Sequence, residues 1–381
     1  MRIALAKQRY SLKSGGSERY CVNLARSLKR LGHEITVIGE KIDEELRNEV
    51  EFVTVKVNHL TSWTKNRSFA ENCGRIAANR RFDVVYGLGR AFGLDAVRVT
   101  ERLQSHWLNV NYPRPANRFL QRFNPRHRTL IALERAIYRS SEVKRVVTQS
   151  RLDRQLVVEY YDVPEEKVRT IYNGVDTTTF HPGVRDASHK LRDEMGIEAD
   201  TPLLLFASMD FEGKGLRSVL KAISASRHGD LKLLVLGTGP IGRFKRIARE
   251  LGLQQRVQFT GRRSDIERCY GAADLFLLPT AYEPFPNVNL EALACGLPVL
   301  TSQTAGGADV IEPGANGYLV SGVHAVDEMT DAIDQHFLLS AADRLEMQAH
   351  CWLTAKDMTM ERNVRETIEL FEEVLLEKFR A

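Results

Sequence analysis

The strongest constraint on the fold is a grammar that the chain repeats twice: a short apolar run, a polar loop, then a stretch of helical periodicity. RIALAK, near the start, is followed by the loop SLKSGGSERY and by CVNLARSLKRLG, which reads as a strand, a glycine loop and a helix closed by glycine. HEITVIG, VEFVTVKV, FDVVYGLG and VKRVVTQS supply further strands in the first half. The pattern restarts at TPLLLFASM and runs through LKLLVLG, RVQFTG, ADLFLLP and LPVLTS, with SVLKAISAS, FKRIARELG, SDIERCYGA and VNLEALACG as the helical pieces between them. Strands that are apolar throughout and alternate with helices form a parallel sheet covered on both faces. A chain of 381 residues exceeds what one core usually serves, so two doubly wound α/β domains are expected. Glycine, threonine and proline interrupt the pattern in NGVDTTTFHPGVR, which places the domains at 1–178 and 179–356, with a charged amphipathic helix over 357–381.

Charge is unevenly divided. Residues 1–180 hold 32 Lys and Arg against 20 Asp and Glu, and the remainder holds 22 against 29, so a basic half meets an acidic one. A basic half suits an anionic surface. From Trp107 to Arg145 the chain interleaves Arg114, Arg118, Arg122, Arg126, Arg128, Arg135, Arg139, Lys144 and Arg145 with Trp107, Tyr112, Phe119 and Phe123. Rings at headgroup depth and arginines on phosphates fit an anionic membrane interface over 107–145; RNA is the competing partner for such a mixture, and a solvated helix face is the plain alternative. No apolar run is long enough to cross a bilayer, and the N-terminal run is too short for a signal peptide, so export is not expected. Five scattered cysteines without a CxxC pair fit a reducing compartment and no structural zinc.

Open parallel sheets bind ligands beyond the carboxyl ends of their strands, which directs attention to the loops there. AYEPFPNVNLEALACGLPVL, at 281–300, carries Glu283 and Glu291 with no other charge between them. Prolines stiffen the loop, Asn287 reads as an N-cap, and Gly296 with Pro298 ends the helix, so the amides near 287–289 form a positive end suited to phosphate. Glu291, read as first-turn, can accept from neutral hydroxyls such as those of a ribose, and Glu283 lies near whatever the phosphate carries; a dipole-complementing Glu291 and a solvated Glu283 are the bland alternatives. In FASMDFEGKGLRS, Lys214 stands between Gly213 and Gly215 as a cation able to face a diphosphate. Gly306 and Gly307 precede another helical start and read as a second amide cradle. LKLLVLGTGPIG also contains GxGxxG after a strand, which would suit an NAD(P)-dependent oxidoreductase. That fingerprint expects an acidic residue at the end of the next strand, whereas RVQFTGRR ends in arginines.

Gly15-Gly16 in GGSERYCVNLARSLKRLGHEITVI, IYNGVD at 171–176, Lys214-Gly215, the stretch from Glu283 to Pro298 and Gly306-Gly307 together resemble the family 4 retaining glycosyltransferases, over nearly the whole chain and in order. The segments LDAVRVTERLQSHWLN and FNPRHRTLIALERAIY are most similar to members acting on lipopolysaccharide core. The resemblance implies the GT-B fold: two Rossmann-like domains facing across a cleft, an N-terminal acceptor domain and a C-terminal nucleotide-sugar domain, with the last helix returning to the first domain. It implies a nucleotide-sugar donor, with UDP preferred, a glycolipid acceptor, no cofactor, no metal, and a peripheral place at the inner face of the cytoplasmic membrane; nucleic acid is not expected. By the same resemblance Lys214 neutralises the leaving diphosphate and Glu283 contacts the donor sugar. Glu291 holds the ribose, Gly15 and Gly16 line the cleft beside the donor sugar and phosphate from the first domain, Arg262 lies near the base, and Phe285, Pro286, Asn287 and Val288 complete the donor loop. Glu101 stands where relatives have aspartate and ranks above His106 as the catalytic group of the first domain. Relatives carry an arginine where this chain has Met209 or Gly213, so a second cation, Arg217 or Arg263, is expected. The absence of any Asp-x-Asp pair agrees with lysine and helix dipole replacing a metal. A non-catalytic lipid- or RNA-binding adaptor remains the nonenzymatic alternative.

Overall fold

The computed structural model describes residues 1–380. The chain divides into two compact units, one formed by 1–172 with 361–381 and the other by 173–360. The division falls before the expected 178/179 because Val175 is tied to the end of the second unit: its N–H donates to the Met358 carbonyl at 2.9 Å and it bridges to Thr359.

In the first unit seven strands, Arg2–Ala6 (β1), Glu34–Gly39 (β2), Glu51–Thr54 (β3), Val84–Gly87 (β4), Ala96–Arg98 (β5), Arg145–Thr148 (β6) and Val168–Thr170 (β7), form one parallel sheet in the order β3-β2-β1-β4-β5-β6-β7. Its helices are Gly16–Arg30 (α1), Ser62–Ala78 (α2), Gln104–Asn111 (α3), Pro115–Gln121 (α4), Pro125–Tyr138 (α5) and Arg151–Tyr161 (α6). In β1 every residue after Arg2 is fully buried, as a strand covered on both faces requires. On α1 the buried residues Tyr20, Cys21, Leu24, Ala25 and Leu28 make one stripe, and Lys29 and Arg30 complement the helix end. The helix begins at Gly16, well before the apolar stretch that announces it.

The second unit repeats the plan. Leu203–Ser208 (β8), Lys232–Gly237 (β9), Val257–Gly261 (β10), Leu275–Leu278 (β11), Val299–Ser302 (β12) and Gly317–Val320 (β13) are arranged β10-β9-β8-β11-β12-β13, again parallel. Helices Ser188–Met195 (α7), Leu216–Ala225 (α8), Ile241–Glu250 (α9), Ile266–Ala272 (α10), Asn287–Ala294 (α11), Val326–Leu338 (α12) and Ala341–Ala355 (α13) cover it, and Met360–Arg380 (α14) belongs almost wholly to the first unit. There Asn363 accepts from the Tyr20 hydroxyl at 2.9 Å, and the Phe371 ring meets Tyr86 edge-on at 5.0 Å.

The first two glycines of GTGPIG have packing reasons, while a Cβ on the third, Gly242, would meet nothing within 4 Å. Gly237 has φ +112°, and a Cβ there would lie 1.7 Å from the Ser208 carbonyl oxygen; one on Gly239 would strike the Phe211 ring at 2.7 Å. Close approach of β9 to the chain leaving β8 therefore explains Gly237 and Gly239 without a dinucleotide.

Candidate active site

Where the strand order of an open parallel sheet reverses, the loops leaving two neighbouring strands diverge and open a crevice. In the second unit those strands are β8 and β11. The turn after β8 is closed by Asp210, whose carbonyl accepts from the Lys214 N–H at 3.1 Å and whose Oδ1 accepts from the Gly213 N–H at 2.9 Å. Gly215 follows at φ +81°, and a Cβ there would sit 2.6 Å from the Pro279 carbonyl oxygen, so glycine lets this turn lie against the exit of β11. Lys214 is thereby buried to 9% exposure, and its Nζ donates to Glu283 Oε2 at 2.5 Å. Lysine and glutamate, 69 positions apart in sequence, form one ion pair at the switch point.

The Glu283 backbone is clamped as well. Its carbonyl accepts from the Gly306 N–H at 2.9 Å, and it bridges to Ala305. Gly306 and Gly307 are buried in a single 3-10 turn, Gly306–Val310, where a Cβ on Gly307 would meet the Asn289 amide at 2.6 Å and the Pro286 ring at 3.0 Å. The pair is therefore the surface on which the turn before α11 packs, and the Gly306 amide is already engaged.

At α11 the N-cap is Pro286, held extended at φ −76° and ψ 108°, and Asn287 is the first helical residue, its Oδ1 accepting from Asn173 Nδ2 at 2.6 Å. The expected Asn287 cap is thus displaced by one residue. The Asn289 N–H turns back to the Pro286 carbonyl at 3.0 Å, leaving the amides of Asn287 and Val288 as the positive helix end. Glu291 is one turn further in than expected; its Oε2 accepts from the Tyr270 hydroxyl at 3.0 Å. Burial, with the Glu291 charge beside it, holds the Tyr270 phenol far above its ordinary range, so it acts as donor. Phe285 and Pro286 are buried and shape the loop, whereas Asn287 and Val288 are half-buried. Arg262 is exposed just beyond β10. Both candidate second cations are held by carboxylates: Arg217 lies 3.5 Å from Glu212, and Arg263 lies 2.7 Å from Asp265 and 3.6 Å from Glu194.

The reversal in the first unit lies between β1 and β4. Lys7, directly after β1, is 3% exposed and reaches Ser17 Oγ at 2.9 Å and Glu18 Oε1 at 3.3 Å, which fastens the first turn of α1. Gly15 precedes that turn in extended conformation, and a Cβ on it would crowd Glu18 Oε2 at 2.9 Å; Gly16 opens the helix. After β4, Arg90 pairs with both Glu101 and Glu134. Glu134 is fully buried and also accepts from the Gln104 N–H at 3.0 Å and from the Tyr161 hydroxyl. The Arg90 charge lowers the Glu101 pKa, while burial raises that of Glu134. A cavity of about 340 Å³ is lined by Lys7, Arg90, Glu18 and Glu101 among others. His106 does not line it; the imidazole packs edge-on against Tyr160 at 5.7 Å on α6, where burial lowers its pKa. Lys7 and Arg90 escape a reading by motif, and the available signal is positional: each is a cation close behind the buried carboxyl end of a strand.

Residues 14–179 match the model of Glycosyltransferase Family 4, and residues 188–351 match that of Glycosyl transferases group 1. The chain is a family 4 glycosyltransferase. An uncharacterized glycosyltransferase of Methanocaldococcus jannaschii is 27% identical to it over 84% of this chain and 85% of that one. Lipopolysaccharide glucosyltransferase WaaG of Escherichia coli is 24% identical over 84% and 85%. The crystal structure of WaaG superposes with a TM-score of 0.84 at 21% identity, covering 97% of this chain and 99% of that one. Anabaena HepE, solved in complex with UDP, gives a TM-score of 0.73 at 18% identity over 98% and 100%. These likenesses establish GT-B as the fold of the glycosyltransferase.

Over its basic segment the glycosyltransferase separates into two kinds of surface. No residue of α4 is buried, and Phe119, Leu120 and Phe123 are 54%, 63% and 64% exposed, beside exposed Arg114, Arg122 and Arg128. Trp107 and Tyr112 instead cluster on buried His127, with ring centroids 5.7 and 6.5 Å away, and Arg145 is bound to Glu373 and Glu377 of α14. These last three leave the expected membrane-facing set, because each finds partners within the unit. No helix among the described residues is long and apolar enough to cross a membrane.

Proposed function

We propose that this glycosyltransferase moves a hexose from a UDP-sugar, with retention of configuration, to a glycolipid acceptor of the lipopolysaccharide-core type at the inner face of the cytoplasmic membrane. The observation that carries the reading is the Lys214–Glu283 pair at the β8/β11 switch point, next to the free amide end of α11. An arriving diphosphate draws the ammonium away from Glu283, and the released carboxylate faces the donor sugar. Breaking the bond between the anomeric carbon and the phosphate oxygen builds negative charge on the leaving phosphate and positive charge on the ring. Lys214 and the helix dipole stabilise the first, and Glu283 stabilises the second. The acceptor hydroxyl forms the new bond to the anomeric carbon, and its proton passes to the leaving phosphate. Glu291, oriented by Tyr270, accepts from the ribose hydroxyls, Arg262 serves the base, and Glu101, which lines the cavity of the first unit where His106 does not, serves the acceptor.

No divalent ion is assigned a role, since a buried ammonium and a helix end supply the positive charge. The UDP complex of HepE supports the choice of nucleotide, and WaaG supports the acceptor class. The exposed Phe119, Leu120 and Phe123 with their arginines support a lipid surface rather than RNA, because an apolar side chain inserted below phosphates needs no base to stack on. The test is a thermal-shift panel of UDP, ADP and GDP with and without EDTA, followed by transfer assays on the chain and on Glu283→Gln. A ligand bound only to the folded state raises its stability. UDP should stabilise most, EDTA should change nothing, and Glu283→Gln should lose turnover; stabilisation by a nicotinamide cofactor alone would refute the reading.

A further inference from the structure

The cavity between β1 and β4 contains donors that no protein group satisfies. Its lining includes Gln8, Arg9, Lys65, Asn66 and Phe69 in addition to the paired Lys7, Glu18, Arg90 and Glu101. Lys7 is matched by Glu18, Arg90 by Glu101 and Glu134, and Lys65 by Glu40 at a loose 3.6 Å. Arg9 is different: among the described residues its exposed guanidinium has no ion pair and no side-chain hydrogen bond, and its neighbour across the two-stranded pairing is another cation, Lys41. Beside it the Gln8 Nε2 amide is shielded from water and donates to nothing. A buried donor without an acceptor costs the protein stability, so such a group in a cavity points to an acceptor that arrives with a ligand.

We propose that this cavity binds an anionic sugar: a hydroxylated ring whose anionic substituent, a phosphate or a carboxylate, is taken by Arg9 with Gln8 Nε2 and Lys65. The ring hydroxyls donate to the Glu18 and Glu101 side chains, and Phe69 supplies an apolar patch. The volume, about 340 Å³, lies at the small end of ligand sites and suits one ring with its substituent. This deepens the proposed function by giving the acceptor a charge class, and it rests on that reading for the cavity's role as acceptor site. Arg9 is then a specificity-determining residue.

The experiment titrates the full-length chain by calorimetry with glucose 6-phosphate, glucuronate, glucose and inorganic phosphate, with UDP in a parallel arm. The expected result is that one or both anionic sugars bind at least tenfold more tightly than glucose, the stronger of the two naming the substituent, and that inorganic phosphate binds weakly. Arg9→Gln, at an exposed position, should abolish most of that difference, a loss of about tenfold to a hundredfold for one charged hydrogen-bonded contact. Lys65→Gln should lose less, and UDP affinity should stay unchanged in both variants. Equal binding of glucose and its anionic counterparts, no binding of either sugar class while UDP binds, or full affinity in Arg9→Gln would each overturn the proposal while leaving the donor site standing. Failure of UDP to bind, with anionic sugars still bound, would instead strike the proposed function.

Discussion

Glu283→Gln should bind UDP more tightly than the parent chain even as it loses turnover. In the free protein Lys214 Nζ lies 2.5 Å from Glu283 Oε2, with the two side chains only 11% and 26% exposed. At an effective dielectric of about 20 the Coulomb attraction at that distance is roughly 6 to 7 kcal/mol, most of which repays desolvation of the two groups. The net worth of a charge-assisted hydrogen bond is nearer 1.5 to 3 kcal/mol. A diphosphate must weaken that bond to capture the ammonium, and it must also approach the carboxylate's negative charge. Glutamine keeps the shape and a carbonyl acceptor but removes the charge, so about 1 to 2 kcal/mol of opposition to binding disappears. That corresponds to a UDP Kd lower by roughly fivefold to thirtyfold. Calorimetric titration of both proteins reads it directly. Raising the salt should shrink the gain only slightly, because the pair is largely buried. Lys214→Gln provides the opposite sign, a weaker Kd. Equal or weaker UDP binding by Glu283→Gln would show that the carboxylate does not compete for the lysine, and the displacement step would fall.

Three further outcomes follow from the same geometry. Tyr270→Phe removes the buried hydroxyl that donates to Glu291, so UDP should bind about tenfold more weakly by calorimetry, near the lower limit for a hydrogen bond to a charged group, while the melting profile stays cooperative. Gly237→Ala places a methyl 1.7 Å from the Ser208 carbonyl oxygen at φ +112°, and chemical unfolding should show a loss on the order of 3 kcal/mol or more, irrespective of any nicotinamide cofactor added. His336 on α12 is 2% exposed, and burial lowers its pKa from 6.5 to about 4. Between those values the unfolded chain holds the extra proton and the folded chain does not, so this residue makes stability fall as the pH drops below 6.5 and stop falling near 4. From pH 7.5 to pH 5 its share is roughly 2 kcal/mol. Urea unfolding at the two pH values should show a smaller difference for His336→Phe than for the parent chain, and an unchanged difference would refute the assignment.

What the sequence reveals and what it hides divide along a physical line. Glu283, Lys214 and the loop and helix between Pro284 and Pro298 are legible because glycine and proline restrict local backbone geometry and an isolated charge stands out in an apolar run. The strands Ala96–Arg98, Val168–Thr170 and Gly317–Val320 are not legible, since AVR and VRT each hold a charge within three residues and GYLV opens on glycine, so that they exist as strands through their ladder partners. The Asn287 cap is misplaced by one because Pro286 already has the extended backbone a cap needs, which no residue preference discloses. Lys7 and Arg90 are hidden for a different reason. Burying a cation is unfavourable unless its partner is at hand, and those partners stand 11 to 44 positions away, so only the folded chain reveals the pairing. The two sheets then explain why these residues gather. Each runs third, second, first, fourth strand, so each has its reversal beside its first strand, and the chain leaving that strand carries a lysine in both units: Lys7 fixed by Glu18, Lys214 fixed by Glu283. The partner's place decides what each lysine can do. Glu18 lies on the helix that Lys7 itself supports, so exchanging it for a ligand would loosen α1, whereas Glu283 lies on a separate loop whose backbone is clamped by Ala305 and Gly306 rather than by Lys214. On the proposed function the switch-point lysine is thus a fastener in the first unit and a displaceable cation in the second, which is why the diphosphate is proposed at Lys214 and not at Lys7.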